Sequence, residues 1–141
     1  MKIVRLLCLL ALSFSLSGPA RAGVFPMITI WSDILENDRP VVAYSPAHDA
    51  FIVVWYTDQG GGTWDIWARV VNADGSLGPM FNVDTESGET MRNPSVAYGS
   101  TQDQYLVAYG GYHSGSSIIK ARRIGWNGPS GTSRIDIDTQ A

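Results

Sequence analysis

The chain has 141 residues, of which 45% are hydrophobic, 16% charged and 11% aromatic, with fifteen Gly and seven Pro. That balance is globular. It is too apolar and too weakly charged for a disordered chain, and one domain is the ceiling for this length. Ten basic against thirteen acidic residues give a formal net charge of −3, so no polybasic surface for nucleic acid is implied.

Residues 1–22 read as a secretory signal peptide. Lys2 and Arg5 open it, an apolar run follows from Leu6 to Leu16, Ser17-Gly18-Pro19 breaks the run, and Ala20-Arg21-Ala22 is a cleavage box before Gly23. The run is too short to span a bilayer, which takes about 20 residues. Cys8 lies inside it, whereas a lipoprotein cysteine would sit at its end. Cleavage removes Lys2, Arg5 and Arg21, so seven basic residues face thirteen acidic ones and the mature charge is −6. The mature chain holds no cysteine, and its stability rests on packing rather than on disulfides. No later stretch is long enough for a transmembrane helix. The expected location is secreted: extracellular, cell-surface or periplasmic.

The rest is organised by internal repetition. Pro40-Val41-Val42-Ala43-Tyr44 returns as Pro94-Ser95-Val96-Ala97-Tyr98, and Ile52-Val53-Val54-Trp55 as Leu106-Val107-Ala108-Tyr109. Ile66-Trp67-Ala68-Arg69 returns as Ile119-Lys120-Ala121-Arg122, the turn Asp74-Gly75 as Asn127-Gly128, and Val83-Asp84-Thr85 as Ile137-Asp138-Thr139. The period is about 54 residues. Residues 23–39 form an N-terminal strand and loop, 40–93 a first repeat and 94–141 a second.

Each unit reads as four strands. The first lies near Pro40–Tyr44, with proline tolerated at its start. The second, near Phe51–Tyr56, is apolar throughout and is expected to be buried on both faces. The third, Asp65–Val71, sets Ile66, Ala68 and Val70 on one side and Asp65, Trp67 and Arg69 on the other. Asp-Gly and Asn-Gly mark the next turn, with room for a loop longer than two residues, and a short fourth strand runs near Met80–Asp84. No stretch holds a helical period.

The fold class expected is therefore all-β: two four-stranded antiparallel blades of propeller type, part of an incomplete β-propeller. A small β-sandwich is the alternative. Met27–Trp31 stands where Phe81–Val83 stands before the second unit, so the mature chain opens on a strand-four equivalent. Two blades do not close a ring, which needs typically 4–8. Either further C-terminal blades are missing or copies self-associate, and the first is favoured.

The pattern P-x-V-A-Y, then [IL]-V-x-[WY], then I-x-A-R and D-G-x-L-G resembles the tandem β-propeller-like repeats of large secreted bacterial surface proteins. It covers Pro40–Gly78 and, more loosely, Pro94–Gly128, where Arg123 replaces the valine of the pattern and the L-G after the turn is missing. The resemblance implies an extracellular or cell-surface scaffold and no enzyme. Residues 57–64, Thr-Asp-Gln-Gly-Gly-Gly-Thr-Trp, are similar to a degenerate Asp-box of sialidase-type propellers, with Asp58 one position early. Such a box forms a turn.

Chemistry is sparse. His48 and His113 fall at non-equivalent loop positions, and no zinc-ligand spacing, nucleophile elbow or phosphate loop accompanies them. Gly60-Gly61-Gly62 is a hairpin tip. Carboxylates cluster before each first strand, at Asp33, Glu36 and Asp38, at Asp84, Glu86 and Glu89, and at Asp136 and Asp138. Calcium could be held there, but the D-x-D-x-D-G spacing is absent, so they read as solvated loops. Arg69, Arg122 and Arg123 read as solvated face. Trp55 and Tyr109 belong to the core. Trp31, Trp64, Trp67 and Trp126 are the candidate ligand-binding residues, because exposed flat aromatics stack sugar rings; packing between blades is the competing use. No catalytic residue, metal ligand or cofactor is assigned. The function expected is a secreted, non-catalytic binding or scaffold module with a carbohydrate or protein ligand. An oligomeric lectin built from short chains and an N-terminal fragment of a sialidase-like propeller glycosidase are the alternatives.

Overall fold

A computed structural model describes residues 26–85, 88–129 and 135–137. The signal-peptide reading of residues 1–22 lies outside these, as do Glu86 and Asp138 of the acidic clusters and the side chain of Asp136. The described chain is all-β, without helix: β1 (Asn37–Ser45), β2 (Ala50–Gly60), β3 (Thr63–Asn72), β4 (Leu77–Asp84), β5 (Glu89–Gly99), β6 (Gln104–His113), β7 (Ser116–Gly125) and β8 (Ile135–Asp136). No helix long and apolar enough to cross a membrane occurs among the described residues.

Two antiparallel meanders make up the molecule, β1–β4 and β5–β8. One parallel bridge, Trp64 to Thr90, links β3 to β5, and the sheet does not close on itself. Backbone details recur between them. The register slips between Asp38 and Val41 in β1 and between Arg92 and Ser95 in β5. Inside each slip a residue takes positive φ, Arg39 at 50° and Asn93 at 53°; Asp49 at 45° and Asp103 at 51° do so in the next turns. Side chains that rarely adopt this region are held there by the turn around them: Tyr44 donates to Asp49 and Tyr98 to Asp103, each at 2.7 Å.

Strand alternation gives each meander two faces. On the first, Ile52, Val54 and Tyr56 of β2 share a face with Ile66, Ala68 and Val70 of β3, all buried. On the second, Tyr105, Val107 and Tyr109 of β6 share a face with Lys120, Arg122 and Ile124 of β7. These two faces meet, and their apolar members form one core cluster. By repeat position they are opposite faces, since Ile52 corresponds to Leu106 and Phe51 to Tyr105. The front of one unit packs on the back of the next.

The expectation that β2 is buried on both faces holds toward its end, where Trp55 is 4% exposed, and fails at its start. Phe51 is 38% exposed and its β1 neighbours Val42 and Tyr44 are 61% and 43% exposed, because that face lies at the free end of the pair. Met27–Trp31 forms no strand either. The outer edge of β3 is already taken by β4, which leaves the segment without a ladder. It still holds the place foreseen for it. Arg69 donates to the Ile30 carbonyl at 2.8 Å, as Arg122 donates to the Val83 carbonyl. Ile28 packs on Gly75 as Phe81 packs on Gly128. Both glycines have positive φ, and a Cβ on Gly75 would lie 2.9 Å from Ile28 Cδ1.

Candidate functional site

The four candidate tryptophans fall into three settings. Trp31 and Trp67 come together. Trp31 leaves the N-terminal segment and is 42% exposed. It stands between two clefts on the outer face of the first meander. One, of about 180 Å³, is shared with Trp55, Val53 and Pro40. The other, of about 210 Å³, is shared with Trp67, Thr57, Gln59 and Asp33. Trp64 lies elsewhere, tilted against Tyr56 with ring centroids 4.8 Å apart and with the Arg92 guanidinium 4.4 Å from its ring. Its surroundings are those of a packing residue at the junction of the meanders, where a cation over an indole is stabilising. Trp126 stacks on His48, 4.5 Å between centroids at 14°.

Polar groups around Trp31 are fixed. Asp33 accepts from Trp31 Nε1 at 2.8 Å, from the Leu35 amide at 3.0 Å and from Asn37 Nδ2 at 2.6 Å. The Trp31 hydrogen bond, helped by those from Asn37 and Leu35, holds its carboxyl below the usual value. Asn37 Oδ1 in turn accepts from Trp55 Nε1 at 3.1 Å and Thr57 Oγ1 at 2.7 Å. Trp67 Nε1 is buried and has no hydrogen-bond partner among the described residues. A buried donor without a partner costs about 1–3 kcal/mol. The second cleft thus combines two indoles, a fixed carboxylate and an amide side chain. Flat aromatic surface beside such convergent groups suits a polyhydroxylated ring.

The hairpin tip between β2 and β3 is a tied turn. Asp58 accepts from the Gly60 amide at 2.7 Å, Thr63 Oγ1 donates to the Gly60 carbonyl at 3.0 Å, and all three glycines have positive φ.

Two expectations about charge are overturned. Arg69 and Arg122 are half-buried and donate to backbone carbonyls. They are not solvated, because each binds its meander to the segment before it. Asp84 and Glu89 are buried rather than solvated loop residues. Asp84 accepts from the Tyr109 hydroxyl and Glu89 pairs with the buried Lys120, so each carboxylate offsets its desolvation within the junction. Asp65, beside Asp84, has its carboxyl pushed up, first by burial and then by the neighbouring negative charge.

Single-sequence reasoning did not find the Lys120–Glu89 pair or the contact of His48 Nε2 with both Asp103 oxygens at 2.8 and 2.9 Å. A signal for the first exists in the repeat. Lys120 takes the place of Trp67 and Glu89 that of Leu35, two residues lining one cleft. An apolar pair in one unit is an ion pair in the other.

Compared with protein family models, with curated proteins and with solved structures, the chain matches none.

Proposed function

We propose that the protein is an exported, non-catalytic binding or scaffold module of the β-propeller type, with a carbohydrate bound at Trp31 and Trp67. The observation that carries the architecture is the sense of stacking. A two-sheet sandwich turns corresponding faces of its halves toward one another and leaves the opposite faces to solvent. Here the front of one unit covers the back of the next, and residues 28–31 cover part of the first unit's back as β4 covers the second's. That is how blades follow one another around an axis. The ligand class is inferred from the Trp31–Trp67 cleft, where two indoles stand beside the Asp33 carboxylate and the Gln59 amide.

Glycan-array binding by the exported protein tests this reading. A discrete set of retained glycans is expected, with Trp31→Ala and Trp67→Ala each weakening binding about tenfold or more. Trp64→Ala, which removes a packing residue, leaves the glycan preference unchanged. No retained glycan removes the carbohydrate, and turnover of any glycoside removes the non-catalytic reading.

A further inference from the structure

Front-to-back stacking leaves two unlike faces open at the ends of the described structure. One carries Val42, Tyr44 and Phe51. Their repeat counterparts Val96, Tyr98 and Tyr105 are the residues that the second meander presses into the first. Tyr105 is only 2% exposed and Ser45, near both phenols, is fully buried, with no hydrogen-bond partner for its hydroxyl among the described residues. The other open face, on the second meander, holds a hollow of about 420 Å³ lined, besides Tyr98 and Tyr105, by Ala97, Gly99, Gln102, Gln104, Leu106 and Arg123. Position for position these replace Ala43, Ser45, His48, Ala50, Ile52 and Val70, the socket side of the internal contact.

We propose that a second copy of this chain docks there, Tyr44 and Phe51 of one copy entering the hollow around Leu106 and Gln102 of the next. The inference rests on the stacked-unit reading above. The entering pair is already shaped. Tyr44 and Phe51 have ring centroids 4.9 Å apart at 43°, and Tyr98 and Tyr105, the pair that fills the internal socket, 5.2 Å at 57°. Tyr44 is tied to Asp49 as Tyr98 is tied to Asp103. His48, which contacts Asp103 across the internal junction, has Gln102 as its counterpart, whose amide donates to Asp49 of the incoming copy. Gly99 in the place of Ser45 leaves room. The short β8 of the receiving copy and residues 26–31 of the incoming one converge on the same strand-four position, so one of them lifts away on docking. The contact is heterologous, and such contacts propagate to a ring or an open chain.

Sedimentation velocity of the exported protein, expressed from the full reading frame, tests this with Phe51→Asp and Leu106→Asp. Both positions are exposed, so neither variant disturbs the core. The wild type associates with rising concentration. Each variant alone raises the midpoint concentration about tenfold or more. An equimolar mixture of the two forms a one-to-one pair and nothing larger, because one supplies an intact hollow and the other an intact aromatic pair. Variants that associate alone at the wild-type midpoint, or a mixture that does not pair, overturn the docking. So does a wild type that stays monomeric with Tyr98 and Tyr105 protected, while the stacked-unit reading stands. Tyr98 and Tyr105 open to solvent in the monomer overturn both.

Discussion

The two meanders share a backbone plan down to the positive-φ residues and register slips, yet corresponding positions have different fates. Ile52 is fully buried and Leu106 is 44% exposed; Phe51 is open and Tyr105 is closed. Nothing local separates them, since each sits on an apolar strand at the same register. Place in the stack decides. The junctions differ as well. The second meander meets β4 through Tyr109–Asp84 and pairs its own Lys120 with Glu89, whereas in the first Trp55 and Trp31 line one cleft and Trp67 and Leu35 another. Polar pairs stand at the internal junction where the first meander has indoles, although Ser45 Oγ and Arg122 Nε there are buried without a hydrogen-bond partner among the described residues. Of the indoles at the terminal junction, Trp31 is 42% exposed and Trp55 is buried.

Replacing one partner of the internal pair attacks that difference hardest. Lys120→Met leaves Glu89 buried without its main counter-charge and costs about 3–5 kcal/mol in denaturant unfolding. The double change Lys120→Trp with Glu89→Leu, which copies the first meander's junction, recovers most of that loss. If the single and double variants are equally unstable, the two junctions are not equivalent.

Truncation at corresponding strand positions comes next. Ile52→Ala costs about 2–4 kcal/mol by the same measurement, because it opens a cavity in the shared core. Leu106→Ala in the monomer costs less than about 1 kcal/mol. Equal costs would mean that the second meander's outer face is covered as well.

The turn-to-turn tie is weaker. His48→Ala removes the contact to Asp103 and lowers stability by about 0.5–1 kcal/mol near neutral pH. The Tyr98 hydroxyl, and after it His48, holds the Asp103 carboxyl below the usual 3.8. Its contribution is present above that value and is lost as the pH falls through the lowered one. A pH titration of unfolding shows a loss at the acid end that Asp103→Asn flattens.

Asp65 has the opposite sign and the smallest effect. Burial, then Asp84, raises its pKa, so the folded state holds a proton that the unfolded state has released. Stability from this group therefore falls as the pH rises from the usual 3.8 through the raised value. Asp65→Asn stabilises slightly at neutral pH, by about 0.5 kcal/mol or less, and the gain disappears in acid.

The strands were legible because their signals are local. Expected near Pro40–Tyr44, Phe51–Tyr56, Asp65–Val71 and Met80–Asp84, they form at Asn37–Ser45, Ala50–Gly60, Thr63–Asn72 and Leu77–Asp84. The observed strands are longer because ladder pairing runs on into polar residues. Ile66, Ala68 and Val70 share a buried face as alternation requires, and Trp55 and Tyr109 are core. What spacing could not show is which apolar face finds a neighbour, because that is set by residues about 54 positions away. Arginines on an alternating strand read as solvated, yet Arg69 and Arg122 reach carbonyls 39 residues earlier in the chain. The four tryptophans looked alike in sequence. Only the fold puts Trp31 beside Trp67, sets Trp64 under Arg92 and stacks Trp126 on His48.

Nuclear Overhauser contacts in the purified protein test the front-to-back stacking most directly. The rings of Tyr98 and Tyr105 are predicted to contact Ser45, with no contact between the methyls of Ile52 and Leu106. Contacts between Ile52 and Leu106, bringing corresponding faces together, would contradict the account.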